Sequence, residues 1–189
     1  MSRSTHNLRV AAHIPDFLTT VDVIEALHNH DHCLTLQALT KGHQEIPTND
    51  EAASDPYFSP EHIGKIKTYE VTEAITIIPG IGEWGRKYIT FPVCFQNTPS
   101  GLKTRANAAG GVVLHAEYLV LPGGADSEVD GEGEGVGDAQ WVLVEDITVE
   151  CSWWLMPFVR STMETAHRDI VRKVVEKVVY QHRSRISNQ

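Results

Sequence analysis

One change of hydrophobic period constrains this chain more than anything else in it. Through its middle, apolar residues alternate with polar ones. KIKTYEVTEAITII (65–78) sets Tyr69, Val71, Ile75 and Ile77 on one face, and RKYITFPVCFQ (86–96) does the same with Ile89, Phe91, Val93 and Phe95. After the shorter GLKTRANA, GVVLHAEYLVLP (111–122) aligns Val112, Leu114, Ala116, Tyr118 and Val120. QWVLVEDITVECS (140–152) aligns Trp141, Leu143, Ile147, Val149 and Cys151. A period of two broken by Gly, Pro and Asn turns specifies an antiparallel sheet with one packed face. From Pro157 onward the period becomes helical. Val159, Met163, Ala166, Ile170, Val174 and Val178 recur three or four apart, and Val171, Val175 and Val179 widen the stripe. A one-sided sheet and a broadly apolar helix must bury those faces against something, and each is the partner at hand.

The first sixty residues read less clearly. HNLRVAAHIP (6–15) alternates through Leu8, Val10, Ala12 and Ile14 as a first strand, stopped by Pro15. TTVDVIEALHNH reads as a short helix capped by Thr20, with Val23, Ile24 and Leu27 at helical spacing. CLTLQALTKG alternates through Leu34, Leu36 and Ala38 and reads as a second strand. Residues 44–62, rich in Pro, Asp, Asn and Ser, read as a long loop with room for one helical turn.

At 189 residues the chain fits one domain (1–189) whose core needs no disulfide or metal. Cys33, Cys94 and Cys151 are too far apart for metal-ligand spacing, and their odd number suits a reducing, cytoplasmic compartment. The polar start lacks a signal-peptide core, and no apolar run approaches the ~18 residues of a membrane span. A net charge of −9 argues against nucleic-acid binding. Six of the acids (Asp126, Glu128, Asp130, Glu132, Glu134 and Asp138) fall in the Gly-rich segment 123–138, read as a mobile acidic loop.

Several motifs compete for a chemical meaning. Gly80, Gly82 and Gly85 make G-x-G-x-x-G after an apolar run. A dinucleotide loop needs a helix next, whereas RKYITFPVCF is β-branched, aromatic and interrupted by proline. The glycines therefore read as a hairpin connection at the rim of the sheet, with Trp84 beside them as a gate to any cavity below. His28, His30, Asp31 and His32 form a conceivable metal cluster, with a solvated turn as the plainer reading. The run from Asp126 imitates a calcium loop, but its twelfth position is Gly137 where a bidentate Glu belongs. No metal and no cofactor are expected. Cys94, inside an apolar strand, reads as inert packing. The sequence contains no G-x-S-x-G, H-E-x-x-H, P-loop or C-x-x-C motif.

Two carboxylates stand out. Glu73 shares a face with Val71 and Ile75, and Glu145 shares one with Leu143 and Ile147. If those faces point inward, burial raises the pKa of each acid and suits it to acid/base work or to anchoring a polar group. The plainer reading is a bulge that turns each outward, or a pairing with Arg or Lys at a sheet end.

The order strand, short helix, antiparallel strands, long C-terminal helix resembles the START-like, helix-grip superfamily (Bet v 1-like, SRPBCC) of lipid-transfer domains, plant allergens and polyketide cyclases. That resemblance implies an α+β fold in which a curved antiparallel sheet grips the C-terminal helix around an apolar cavity. The stretches HCLTLQALTKGHQ, DPYFSP, TIIPGIGEWGRKYITFPVCFQNTPSGLKTRANAAGGV and WWLMPFVRSTMETAHRDIVRKVVEKV resemble a family of small fungal proteins with a domain of unknown function. This implies the fold and a fungal source but no reaction. The leading expectation is a protein that binds an apolar small molecule such as a lipid, sterol or polyketide-like metabolite. Its cavity is expected to be lined by Tyr69, Val71, Glu73, Phe91, Phe95, Leu114, Tyr118, Trp141, Glu145, Met163, His167 and Ile170. The alternative is a cyclase, hydrolase or isomerase of secondary metabolism with Glu73, Glu145 or His167 as its acid/base group. A third possibility is a protein–protein interaction module using Trp84, Trp153, Trp154 and the acidic loop, although burial of the Trp153–Trp154 pair at the strand-to-helix junction is the plainer expectation. Oligomeric state is open.

Overall fold

A computed structural model describes residues 2–60, 66–76, 80, 82–124 and 138–187. Seven strands form one antiparallel sheet. They are β1 (Arg3–Ile14), β2 (Thr40–Ile46), β3 (Lys67–Thr76), β4 (Arg86–Thr98), β5 (Gly101–Ala108), β6 (Val112–Pro122) and β7 (Trp141–Ser152). Their spatial order is β1-β7-β6-β5-β4-β3-β2, so the sheet runs as a meander from β2 to β7 and the first strand docks beside the last. The β1–β7 pairing holds register from Arg3 against Ser152 to Ile14 against Trp141, without a bulge. Residues of period two therefore stay on their intended faces along the whole edge. The sheet curls around a C-terminal helix of 32 residues, an α+β helix-grip architecture.

That helix is not regular throughout. α4 (Met156–His167) and α5 (Ile170–Ser187) are separated by a step at Arg168 and Asp169. Pro157 sits in the first turn of α4, where its missing N–H costs nothing. The apolar stripe survives the step: Met163, Ala166, Ile170, Val171, Val174, Val175 and Val178 are all buried. They pack with Leu8, Val10, Phe91, Phe95, Leu102, Leu143, Ile147 and Val149 from the concave face of the sheet. Each such side chain, fully buried, contributes about 1.5–3 kcal/mol.

The largest departure from expectation lies at residues 30–36. CLTLQALTKG is not a strand. His30–Leu36 form α2, directly after α1 (Thr20–His28), and β2 begins at Thr40. Asn29 ends one helix and caps the next, its Oδ1 accepting from the His32 N–H at 3.2 Å. Leu27, His30 and Leu34 are buried at helical spacing, and this outweighs the alternation of Leu34, Leu36 and Ala38. The cap of α1 is Thr19 rather than Thr20. Thr19 and Asp22 satisfy each other in a capping box. β1 also starts three residues earlier than the alternation suggests.

The 44–62 stretch divides between the end of β2, a helical turn α3 (Asp50–Ala53) and a loop on the outer face of the sheet. Three contacts pin this loop: the buried Phe58, the Gln96 side chain, which hydrogen-bonds both backbone groups of Ser59, and the Arg105–Asp55 ion pair at 2.6 Å. Cys94 packs here against Thr68, with burial raising its thiol pKa, as inert packing should. β3 and β4 pair antiparallel with the glycine triplet between them. Gly80 has a φ of +90°, Gly82–Gly85 make a helical turn, and the strand β4 follows at once, so the segment is a hairpin connection. Ile77, and residues 125–137 of the acidic segment with its calcium-like run, lie outside the described residues.

Candidate functional site

The concave face of the sheet does not close fully on the helix. A cavity of about 300 Å³ remains between them, walled by β3, β4, β5, β6, α2 and α4. Ordinary protein interiors leave few voids larger than one water. Close packing that fills the rest of the core is absent here because the facing positions are small. Ala106 and Ala108 on β5 and Ala166 on α4 line it with side chains too short to fill it.

Eight of the twelve expected lining residues reach this cavity. Val71, Phe91, Phe95, Leu114 and Met163 supply apolar wall, and Glu73, Tyr118 and His167 supply polar groups. The other four lie elsewhere. Tyr69 is drawn away by α2: its hydroxyl meets His30 Nδ1 at 3.2 Å, beside an open polar groove. Trp141 is half-buried at the start of β7, opposite Ile14. Ile170 is packed into the solid part of the core beyond the helix step. Glu145 lies behind the wall, next to His167 and Tyr118, which both line the cavity.

Both carboxylates thus point inward, and their surroundings differ. Glu145 is 0% exposed. Its Oε1 accepts from His167 Nδ1 at 2.8 Å, while its Oε2 has no hydrogen-bond partner among the described residues. Burial alone would drive a proton off His167. The facing Glu145 charge and hydrogen bond, together with Glu73, outweigh that and hold the His167 pKa above its ordinary value. Nδ1–H is committed to the Glu145 carboxyl, and the facing acids favour the protonated ring. The other ring nitrogen, Nε2, makes no hydrogen bond among the described residues, although the ring lines the cavity. Glu73 accepts no hydrogen bond there either. Burial raises its pKa, partly offset by His167. Tyr118 stands cross-strand from Glu145. Burial first, then the Glu145 charge, push its pKa well above the ordinary phenol value, so it remains a neutral hydroxyl.

Sequence reasoning missed the α2 contribution. Cys33, Leu34 and Gln37 form one wall, with Leu39 and Thr40 just beyond. The signal was the helix start at Asn29, hidden behind a period-two run. It also missed Leu155, Phe158, Val159 and Thr162 at the start of α4.

The histidines of the cluster do not converge on one another: His28 and His30 turn to separate partners, while Asp31 stays exposed and pairs with His43. His28 Nε2–H faces the carbonyls of Thr98 and Gly101 at 3.1 and 2.9 Å. The buried His30 lies between Tyr69 and Asn97 and stacks on Phe95 at 4.7 Å. Burial depresses its pKa, so the neutral ring donates from Nε2 to Asn97 Oδ1 and accepts at Nδ1 from the Tyr69 hydroxyl. These histidines fasten the helices to the β4–β5 turn. Trp153 and Trp154, 65% and 62% exposed, are not buried at the junction, and Trp84 is 93% exposed.

A family model described as a domain of unknown function (DUF7053) matches residues 3–180. No curated protein matches the sequence. Among solved structures, the crystal structure of TTHA0849 from Thermus thermophilus superposes with a TM-score of 0.57 at 12% identity, covering 93% of this chain and 99% of that one. At that identity the likeness is one of fold.

Proposed function

The chain belongs to this DUF7053 family, and from that premise we propose that it binds an apolar small molecule in the cavity between sheet and C-terminal helix. One observation carries the reading: about 300 Å³ of space with mostly apolar walls and a few polar groups gathered around His167. That is the usual form of a small-molecule site. A void of this size has a cost in lost packing that a filled core would avoid. At ~30 Å³ per water volume, the space suits a ligand on the order of ten non-hydrogen atoms. A metabolite of monocyclic or bicyclic size fits better than a whole sterol or a long acyl chain. Affinity for such a ligand is expected between about 1 μM and 1 mM. The three cysteines are free thiols, which supports a reducing compartment such as the cytoplasm. The resemblance to small fungal proteins supports a fungal source.

Native mass spectrometry and titration calorimetry against a panel of small apolar metabolites and lipids test the reading. A single bound equivalent with a negative heat-capacity change supports it, and an entire panel without binding removes it.

A second reading is supported by the Glu145–His167 pair: an enzyme in which Glu145 orients His167 and Nε2–H protonates a bound substrate. Replacing Glu73, Glu145 and His167 together without slowing turnover of a substrate found in that panel would exclude it.

A further inference from the structure

The polar groups of the cavity are not interchangeable, and what each lacks defines a ligand. His167 has spent Nδ1–H on Glu145, 2.8 Å away, and its remaining nitrogen has no partner among the described residues. In the protonated form that Glu145 and Glu73 favour, the ring carries a second N–H, on Nε2, which needs an acceptor. Glu73, in β3 and close enough for its charge to act on His167, accepts no hydrogen bond among the described residues and needs a donor. Behind His167, the fully buried Glu145 takes the His167 N–H and lies beside the Tyr118 hydroxyl, so it already draws on the donors of the cluster. In charge the cluster holds two carboxyl groups against one imidazolium. Besides His167, the one basic residue that lines the cavity among the described residues is Lys87, on an exposed stretch of β4 and opposite Ile75. A ligand carboxylate would enter a site that already has a surplus of negative charge, and burying such a charge unpaired is costly. A pure hydrocarbon would leave both polar groups unsatisfied, a cost each hydrogen bond would otherwise remove.

We propose that the cavity recognises a neutral apolar molecule bearing a hydroxyl group, which donates to the Glu73 carboxylate and accepts from His167 Nε2–H. A hydroxyl is the smallest group that supplies one donor and one acceptor together. Tyr118, on β6 cross-strand from Glu145, keeps a neutral O–H beside that acid and adds no charge to the cavity. The inference rests on the cavity-binding reading and narrows it by chemistry. The aromatic and aliphatic walls, Phe91, Phe95, Leu114 and Met163, suit a ring system of one or two cycles.

Three probes of nearly equal shape separate the possibilities: 2-naphthol, naphthalene and 2-naphthoate, titrated at pH 7 into the full chain by calorimetry. The expected order is 2-naphthol tightest, about tenfold over naphthalene, with 2-naphthoate weakest by at least a further factor of ten. In Glu73→Leu the advantage of 2-naphthol over naphthalene should fall to within about threefold. Glu73→Gln, which keeps an acceptor, should retain most of it. Circular dichroism confirms that each variant is folded before titration. Naphthoate binding as tightly as naphthol, or a naphthol preference that survives Glu73→Leu, overturns the hydroxyl assignment. Naphthalene and naphthol binding equally also overturns it, while leaving the apolar-cavity reading intact. If none of the three binds, the hydroxyl assignment falls, and the wider metabolite and lipid panel decides the apolar-cavity reading.

Discussion

Glu73 and Glu145 occupy equivalent inward positions on two strands of one sheet, yet the consequences of removing them differ in sign. Glu145 is half of a buried ion pair, so Glu145→Ala strands the His167 charge and should cost about 3–5 kcal/mol in urea unfolding. Glu73 is raised by burial and has no hydrogen bond to lose, so Glu73→Gln should be neutral or stabilise by up to about 1 kcal/mol at pH 7. The pH dependence follows from the same two groups. His167 binds its proton more tightly folded than at its ordinary 6.5, so the pair's stabilisation is complete below pH 6.5 and is lost as pH rises through the elevated folded value. Glu73, raised above 4.5, likewise contributes below that pH and loses its contribution as pH rises through its folded value. His30, with a depressed pKa, works in the opposite sense near neutrality, and Asp22 and Glu164 do so in acid. The clean observable is therefore a difference. Wild type minus Glu73→Gln should decline with pH in the acidic window. Wild type minus the Glu145→Gln/His167→Gln double variant should decline through neutrality. A difference that rises with pH in either window contradicts the assignment. The inward faces of both acids were legible from their phase with Val71 and Leu143. The Glu145–His167 partnership was not, because it depends on where a helix 22 residues downstream comes to rest.

At the scale of elements, what the sequence declares well is what local periodicity controls. The strands from 67 to 152 and the terminal helix stand close to where alternation and the helical stripe put them, since one face of each is buried along its whole length. The failure at CLTLQALTKG has a specific physical cause. Leu34 and Leu36 satisfy a strand period, but the burial of Leu27, His30 and Leu34 is helical, and Asn29 supplies a cap. A helix this short draws its stability from tertiary packing, which no local window contains. Asn29→Ala should therefore cost about 1 kcal/mol by thermal or urea unfolding. Because α2 carries Cys33, Leu34 and Gln37 into the cavity wall, it should also weaken ligand binding without touching a ligand. An Asn29→Ala protein as stable as wild type would show that α2 does not depend on this cap. The step at Arg168–Asp169 was equally invisible, because the apolar stripe passes through it uninterrupted.

For the molecule as a whole, the account turns on whether the space between sheet and helix is a binding site or merely a packing defect. The alternating small residues are what keep it open, and a single large side chain should close it. Ala106→Phe places a ring into the cavity from β5, with its Cβ already on the wall. The decisive measurement is calorimetric titration of 2-naphthol into wild type and into folded Ala106→Phe at equal concentration. The account predicts one equivalent bound to wild type with a negative heat-capacity change, and no saturable heat in Ala106→Phe. Equal binding by both proteins would put the ligand on the surface, and no binding to either would mean that the cavity is not a site for a molecule of this class.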